Sequence, residues 1–232
     1  MKRSLISCIV PVFNGERYLG DALDSILGQT YRPLQAIVVD DGSIDRTAEI
    51  ARSYGSRILL LQQRNRGSAA AKNQGISAAE GEYIAFLDAD DAWYPEKLAQ
   101  QMARLRERTE IDLCFTRFDN FWMPELAEEE QLYRDSWLSQ PQSAWSIGTL
   151  LTRRSTFDKF GRFDDGLRGN ENMIWFLRAA GQGAVIEVLS DVLMRRRFHL
   201  GNDTRRGNGH TYDLLMPIVK AWRDYQRQRS GT

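Results

Sequence analysis

Three carboxylates follow an apolar stretch at residues 86–91, where the sequence reads Phe-Leu-Asp-Ala-Asp-Asp. Residues i and i+2 of an extended chain lie on one face, so Asp88 and Asp90 point the same way on either side of Ala89. Like charges this close repel unless a cation or hydrogen-bond donors compensate. A hard divalent ion, Mg²⁺ or Mn²⁺, takes one or two carboxylates together with phosphate oxygens. The spacing favours a metal site, and a solvated acidic turn capping the next helix is the alternative.

A second acidic pair, Asp40 and Asp41, ends another apolar run and is followed by Gly42 and Ser43. Such a carboxylate can accept a hydrogen bond from a nucleobase N–H or a ribose hydroxyl, and the glycine permits a tight turn. The alternative is an Asx turn that caps the following helix. The appearance of both acidic pairs at strand ends favours a shared site.

The sequence lacks the Gly-rich phosphate motifs GxGxxG and GxxxxGK[ST], and it lacks the GxSxG nucleophile motif. A phosphate would therefore need a metal and cationic side chains. Candidates are Arg64, Arg66 and Lys72 near the third predicted strand, and Arg195, Arg196, Arg197, Arg205 and Arg206 around His199. Basic runs of this kind are otherwise solvated faces.

Composition narrows the class of protein. The 232 residues carry 31 basic and 31 acidic side chains, so the formal net charge is zero. The excess of positive charge that is typical of a nucleic-acid-binding protein is therefore absent from the composition. Cys8 and Cys114 lie in apolar runs typical of buried, reduced thiols. No apolar run approaches the roughly 18 residues of a membrane span, and the N-terminus lacks a signal-peptide cleavage pattern. We expect a soluble, cytoplasmic protein with one core.

Strands and helices are predicted to alternate through the first half of the chain. The predicted strands are residues 5–13, 34–39, 57–62 and 82–88, and the predicted helices are residues 16–29, 43–54 and 67–79. This alternation predicts an α/β fold with a mostly parallel central sheet flanked by helices. Ligands of such sheets bind beyond the carboxyl ends of the strands. We expect the polar clusters at 14–16, 40–43, 63–66 and 88–91 to meet on one rim.

In the rest of the chain the predicted strands and helices do not alternate regularly. We expect a helix at 95–108, strands at 111–116 and 146–151, a helix at 171–180, two short strands within 184–198 and an amphipathic helix at 212–225. The stretch 119–145 is interpreted as a partly helical surface excursion. Its tryptophans either stack on a ligand or pack in the core.

Several blocks, in order and spacing, resemble family 2 glycosyltransferases of the GT-A fold. They are PVFNG at 11–15, LDSILGQTY at 23–31, VVDDGS at 38–43, NRGSAAAKNQG at 65–75 and GEYIAFLDADD at 81–91. The stretches 148–164 and 195–204 also resemble the family, and the likeness is weakest across 117–145. The resemblance implies a single GT-A (Rossmann-like) domain over 1–232. Residues 1–116 would bind the nucleotide-sugar, residues 117–206 the acceptor, and residues 207–232 would form the terminal helix.

The resemblance implies inverting transfer of a sugar from a nucleotide diphosphate sugar, most simply a UDP-sugar, in polysaccharide biosynthesis. The acceptor would be a hydroxyl of a glycan, a lipid-linked molecule or another compound, and no nucleic acid takes part. It implies a cytoplasmic location, with peripheral contact at the inner face of the membrane as a further option. That contact would use the terminal helix, although packing on the protein's own core explains the apolar face of this helix more simply.

Residue roles carry over by position. Nucleotide-sugar contacts are implied for Pro11, Phe13, Asn14, Glu16, Asp40, Asp41, Asn65, Lys72, Asp88, Ala89 and Asp90. Asp90 and Asp88 are implied as ligands of Mn²⁺ or Mg²⁺. His199 sits where many members place an additional metal or diphosphate ligand, although a lone histidine is more often structural.

One departure concerns the catalytic base. The family commonly has Glu-Asp before an aromatic-rich helix, with the aspartate as base, whereas this chain has Glu171-Asn172. An amide cannot accept a proton at neutral pH, and a base is needed as the acceptor hydroxyl attacks. Glu171 is the nearest substitute, unless it only stabilises the helix N-terminus. The alternative function is a catalytically impaired nucleotide-sugar or glycan-binding homologue.

A nucleotidyltransferase is disfavoured, because the loop after the first strand reads Asn-Gly-Glu-Arg and is neither Gly-rich nor strongly basic.

Overall fold

The computed structural model describes residues 3–143, 145–167 and 169–202. Its strands are β1 (Ile6–Val12), β2 (Leu34–Asp40), β3 (Ile58–Gln62), β4 (Tyr83–Phe86), β5 (Ala92–Trp93), β6 (Leu113–Trp122), β7 (Leu151–Arg153) and β8 (Ile186–Phe198). Its helices are α1 (Leu19–Leu27), α2 (Thr47–Ser53), α3 (Ser68–Ala78), α4 (Lys97–Glu107), α5 (Ala127–Leu132), α6 (Thr156–Lys159) and α7 (Glu171–Gly181). Short 3₁₀ turns occur at Gly55–Arg57, Pro124–Leu126, Trp137–Ser139 and Ile147–Thr149.

The strands form one sheet in the order β3-β2-β1-β4-β7-β6-β8-β5. The pairs β3-β2, β2-β1 and β1-β4 are parallel, as the alternation of strands and helices predicts. Beyond β4 the chain adds antiparallel pairs, namely β4-β7, β7-β6 and β8-β5. The register pairs Val12 with Asp40, so β1 and β2 end at the same edge of the sheet.

Both faces of the sheet are covered, which explains the unbroken apolar character of β1. Ile6, Cys8 and Val10 pack into one core cluster, whereas Ile9 packs into the other. Helix α3 lies very close to the second face, because a Cβ built at Gly75 would fall 2.4 Å from Cγ2 of Ile9. The predicted buried, reduced thiols are found: both cysteines are free and buried.

Four sequence predictions differ from the structure. The fourth predicted strand ends at Phe86 and not at residue 88, and residues 88–91 form a turn in which the Asp91 N–H donates to the carbonyl of Asp88 at 3.1 Å. Residues 184–198 hold one long strand, β8, because Ser190 and Asp191 are exposed polar positions along it and do not interrupt it. Residues 146–151 begin as a 3₁₀ turn at Ile147–Thr149, and β7 starts only at Leu151. The two-residue strand β5 is too short for the sequence pattern to reveal.

Contacts between residues divide the described part of the chain into two compact units. The first holds the described residues up to 120 together with 140–197, and the second holds 121–139 together with the described residues from 198 onward. The first contains most of the sheet. In the second, the Trp122 ring stacks on Phe198 with centroids 4.2 Å apart and on Tyr133 at 5.8 Å.

The expected terminal helix at 212–225 lies outside the described residues. The prediction that residues 1–232 form a single domain, with its three assigned parts, stays a prediction. None of the described helices combines the length and the apolar character that a membrane crossing requires.

Candidate active site

The loops that follow β1, β2 and β4 meet on one rim of the sheet. The backbone N–H of Asp41 donates to the carbonyl of Val12 at 2.8 Å, joining the ends of β2 and β1. A Cβ built at Gly15 would lie 3.6 Å from Cβ of Ala89, so the loop after β1 touches the 88–91 segment. The predicted meeting of these polar clusters is therefore found in the structure.

The first loop is bonded to the loop after β2. Asn14, with φ of 52°, accepts a hydrogen bond from the Ile44 N–H at 3.0 Å through Oδ1. Glu16 accepts from the Arg46 N–H at 3.1 Å through Oε2. Both predicted nucleotide contacts thus shape the rim. Pro11 is buried within β1, and Phe13 presents a half-exposed ring beside it.

Asp40 is completely buried, and its two carboxylate oxygens accept hydrogen bonds inside the protein. Oδ1 accepts from the Ser43 N–H at 2.9 Å, and Oδ2 accepts from Nε2 of Gln62 at 3.0 Å. This is the local turn that the sequence offered as an alternative to ligand binding. Asp40 therefore fixes the backbone of the 40–43 loop.

Asp41 organises the loop that leads into α3. Its Oδ1 accepts from Nε2 of Gln63 at 2.6 Å and from the Arg66 N–H at 2.8 Å. Its Oδ2 accepts from the Gly67 N–H at 2.8 Å, where φ is 94°. Asn65 is exposed on this loop, which gives it access to a ligand at the rim.

The carboxylates at 88–91 are electrostatically strained. Burial raises the pKa of Asp88 to about 6, against the lowering effect of Lys72, and Asp90 adds to the rise. Burial and the charges of Asp90 and Asp88 also raise the pKa of Asp91 well above its usual range. A cation would relieve this repulsion.

The predicted metal ligands are Asp88 and Asp90. Within residues 3–143, 145–167 and 169–202, no group of three His, Cys, Asp or Glu side chains is arranged to hold a metal. A hard divalent ion at these two carboxylates would take its other ligands from substrate oxygens or water, as Mg²⁺ does in phosphate sites.

Arg197 of β8 fastens the acidic segment to α1. Its backbone N–H donates to Oδ1 of Asp91 at 2.9 Å, and Nε donates to the carbonyl of Asp90 at 2.8 Å. Its guanidinium also donates to Asp21 at 2.7 Å and lies 4.5 Å from the Tyr18 ring centroid. The basic run thus contributes a structural clamp, which sequence patterns alone do not distinguish from a phosphate ligand.

Arg196, next in the same run, has a different environment. It is half-buried, and its charge lowers the pKa values of Asp88 and Asp91 against the larger effect of burial. A guanidinium that acts on these carboxylates is placed to act on a diphosphate beside them.

Lys72 of α3 joins the predicted catalytic residues of α7. Its ammonium is 2.8 Å from each of three oxygens: Oγ of Ser68, Oε1 of Glu171 and Oδ1 of Asn172. The Lys72 side chain is 1% exposed, and that of Glu171 is 8% exposed. Lys72, Glu171 and Asn172 are separate candidates in the sequence, and the structure brings their side chains into contact.

This contact sets the ionisation of Glu171. Burial raises the pKa of its carboxyl, but the charge and hydrogen bond of Lys72, with a bond from Ser68, outweigh burial and lower it. Glu171 is also the first residue of α7, where the helix dipole favours a negative charge. The carboxylate is therefore ionised at neutral pH, as a base must be before it accepts a proton.

His199 belongs to the second unit and is buried there. Its backbone N–H donates to Oδ1 of Asn202 at 2.7 Å, and its Nδ1 accepts from the Gly201 N–H at 3.1 Å. A neutral ring that accepts at Nδ1 carries its proton on Nε2, which makes Nε2 a donor. This tautomer suits a phosphate oxygen, whereas a metal on Nε2 would need the opposite tautomer.

Two tryptophans of the 119–145 excursion differ in their packing and exposure. Trp145 stacks with Phe115 at 6.2 Å and meets Phe176 edge-on at 6.1 Å, so it packs against the core. Trp137 is 54% exposed in the second unit. An aromatic contact with a ligand stays a prediction for the latter.

Comparisons with known proteins show the family of this chain. The glycosyl transferase family 2 model matches residues 7–169. An uncharacterised glycosyltransferase of Rickettsia typhi (strain ATCC VR-144 / Wilmington) is 33% identical over 206 residues, which cover 84% of this chain and 64% of that protein. The uncharacterised glycosyltransferase EpsJ of Bacillus subtilis (strain 168) is 30% identical over 206 residues, covering 82% of this chain and 60% of EpsJ. The chain thus spans less than two thirds of the length of each relative.

Solved structures show the fold. Residues 1–349 of S. aureus TarS align with a TM-score of 0.70 at 24% identity, covering 83% of this chain and 60% of that one. The same protein in complex with UDP-GlcNAc aligns with a TM-score of 0.71 at 23% identity, covering 85% and 59%. The expected GT-A fold is confirmed. Because the family model matches well over half of its residues, the chain belongs to glycosyltransferase family 2.

Proposed function

We propose that this protein transfers a sugar from a nucleotide diphosphate sugar to an acceptor hydroxyl, with metal assistance and inversion at the anomeric carbon. The observation that carries the proposal is the meeting of the acidic segment 88–91 with the nucleotide-side loops on one rim. A UDP-sugar is the donor of choice, because a protein of this fold was solved with UDP-GlcNAc.

The donor would lie on the rim built by Asp40 and Asp41. Phe13 offers an exposed ring for the nucleobase or ribose, and Asn65 offers an amide on the neighbouring loop. The two buried aspartates support these contacts by fixing the backbone of both loops.

Asp90 and Asp88 would hold Mn²⁺ or Mg²⁺. When bound, such an ion neutralises the negative charge that develops on the departing diphosphate. Arg196 adds a positive charge near the same carboxylates and strengthens this stabilisation. His199 stays a predicted ligand of the diphosphate.

The acceptor hydroxyl would attack the anomeric carbon from the face opposite the diphosphate. A new C–O bond forms at that carbon, and the bond to the phosphate oxygen breaks, so the nucleoside diphosphate leaves with the electron pair. The hydroxyl proton passes to Glu171, which is ionised because Lys72 lowers its pKa.

A second candidate is a nucleotide-sugar-binding homologue without turnover. Two observations favour it: Asn172 replaces the usual base, and Glu171 is held in a buried ion pair. Such a protein would bind the same nucleotides on the same rim.

The test is release of UDP from UDP-GlcNAc and UDP-glucose in the presence of Mn²⁺, with the anomeric configuration of the released sugar followed by NMR. Asp90→Ala should abolish release, whereas Asp158→Ala, which removes an exposed carboxylate on α6, should not. Equal rates for wild type and Asp90→Ala would refute the metal assignment. Nucleotide binding without release would support the binding homologue.

A further inference from the structure

Lys72 is enclosed in a way that leaves it no part in binding a substrate directly. Its ammonium has three N–H groups, and three oxygens lie at 2.8 Å from its nitrogen. The side chain is almost completely buried, and the Phe163 ring lies 5.5 Å from the nitrogen. Lys72 therefore acts through the groups that it holds.

The contact with Lys72 fixes which way the Asn172 amide faces. An ammonium can only donate, so the oxygen of the amide must be the atom that faces it. The amide nitrogen is consequently turned away from Lys72. In the part of the chain that the structure describes, this nitrogen has no hydrogen-bond partner, and it is not among the buried unpartnered atoms. It is an accessible donor beside the Glu171 carboxylate.

The charges of Lys72, Glu171 and Asp88 favour a neutral amide over a carboxylate at position 172. One ammonium balances one carboxylate in the buried pair, and the negative charge of Glu171 already raises the pKa of nearby Asp88. A second carboxylate at position 172 would add an uncompensated negative charge to this region. The amide supplies a hydrogen-bond donor without that penalty.

We propose that Asn172 and Glu171 form a two-part acceptor site, with Lys72 as the positioning residue of both. The proposal rests on the glycosyl transfer proposed above. A hydroxyl group has one proton to donate and two lone pairs that accept. The Asn172 NH₂ donates to a lone pair of the attacking oxygen, and Glu171 receives its proton as the new C–O bond forms. Asn172 thus orients the nucleophile, which a single carboxylate cannot do by donation.

The first experiment compares UDP release from UDP-GlcNAc, with glycerol as the hydroxyl probe, for Asn172→Ala and Asn172→Asp. Both changes should lower kcat about ten-fold or more, which is the effect of losing one oriented hydrogen bond in a transition state. The Kd for UDP should be unchanged. A ten-fold or larger gain in Asn172→Asp would overturn the proposal, because it would show that a base was missing.

The second experiment tests the positioning role through the pH profile of the same reaction. Lys72→Met should move the acid limb to higher pH, since Glu171 loses the ammonium that keeps it ionised. Lys72→Arg should return the limb towards its original position. A lower rate with an unmoved limb would indicate a purely structural role and contradict the proposal.

A readout without turnover separates this inference from the proposed function. The Glu171 carboxyl is titrated by ¹³C NMR in wild type and in Lys72→Met. Its pKa should be higher in the variant, and an unchanged value would overturn the positioning role even if the protein turns over no donor. Absence of UDP release in wild type alone would contradict the proposed transfer.

Discussion

Lys72 on α3 and Glu171 on α7 form a buried ion pair, with Nζ and Oε1 2.8 Å apart although the two residues are 99 positions apart in the chain. The pair connects α3, the helix that follows β3, to α7, the helix that carries the residues proposed to bind the acceptor. The contribution of this ion pair to the free energy of unfolding can be measured independently of its proposed role in catalysis.

Lys72→Met should destabilise the fold by about 3–5 kcal/mol, because it leaves the Glu171 carboxylate buried without its partner. The double variant Lys72→Met/Glu171→Gln should recover much of this loss. Urea denaturation measures both. The exposed pair Arg66–Asp165 is the matched control, and Arg66→Met should cost at most about 1 kcal/mol. Equal losses at the two pairs would contradict the buried character of the first.

Arg197→Met should weaken Mn²⁺-dependent UDP binding about ten-fold, because the clamp that holds the Asp90–Asp91 backbone is lost. Isothermal titration in the presence of Mn²⁺ gives the Kd. Arg108→Met, which removes a surface arginine after α4, should leave the Kd unchanged. An unchanged Kd in the Arg197 variant would show that the acidic segment holds its shape without the clamp.

Gly75→Ala should destabilise the protein by about 1–3 kcal/mol, because the new methyl group would overlap Ile9 on β1. Gly181→Ala, at the last residue of α7, meets no atom within 4 Å and should be neutral or slightly stabilising. Thermal melts of the two variants compare directly. A neutral Gly75 variant would mean that α3 can move away from the sheet at little cost.

Lys97 makes stability depend on pH. Burial lowers the pKa of its ammonium from 10.5 to about 7, against the raising effects of Cys8 and Cys114. The unfolded chain therefore binds more protons above pH 7, so stability should rise with pH in this window, by roughly 1–2 kcal/mol up to about pH 9.

The measurement is the free energy of unfolding at several pH values for wild type and Lys97→Met. The variant should lack the rise, and Lys159→Met, which changes a half-exposed lysine, should retain it. A rise of equal size in the Lys97 variant would show that other groups cause it.

The parallel half of the sheet and the rim could be predicted because their signals are local. Each of β1 to β3 is a short apolar run followed by a helix, and β4 is another short apolar run. Asp40 is the last residue of β2, and Asp90 lies in the segment that follows β4. The antiparallel part of the sheet was harder to predict from the sequence. Strand β5 has only two residues, and the apolar run that contains β7 begins with a 3₁₀ turn.

The contacts that give the site its chemistry could not be read from the sequence. Lys72 meets Glu171 only because α3 and α7 pack against the same face of the sheet, and Arg197 meets Asp91 only because β8 returns beside β5. The basic run at 195–197 predicted positive charge there, but not that adjacent arginines would differ, one clamping the backbone and one acting on the carboxylates.

The most direct test of the metal–nucleotide site is isothermal titration of UDP into the protein with Mn²⁺ and with EDTA, for wild type and Asp90→Ala. Wild type should bind at least about ten-fold more tightly with Mn²⁺, and the variant should lose this difference. Tight binding that is the same with EDTA, or the same in both proteins, would contradict the account.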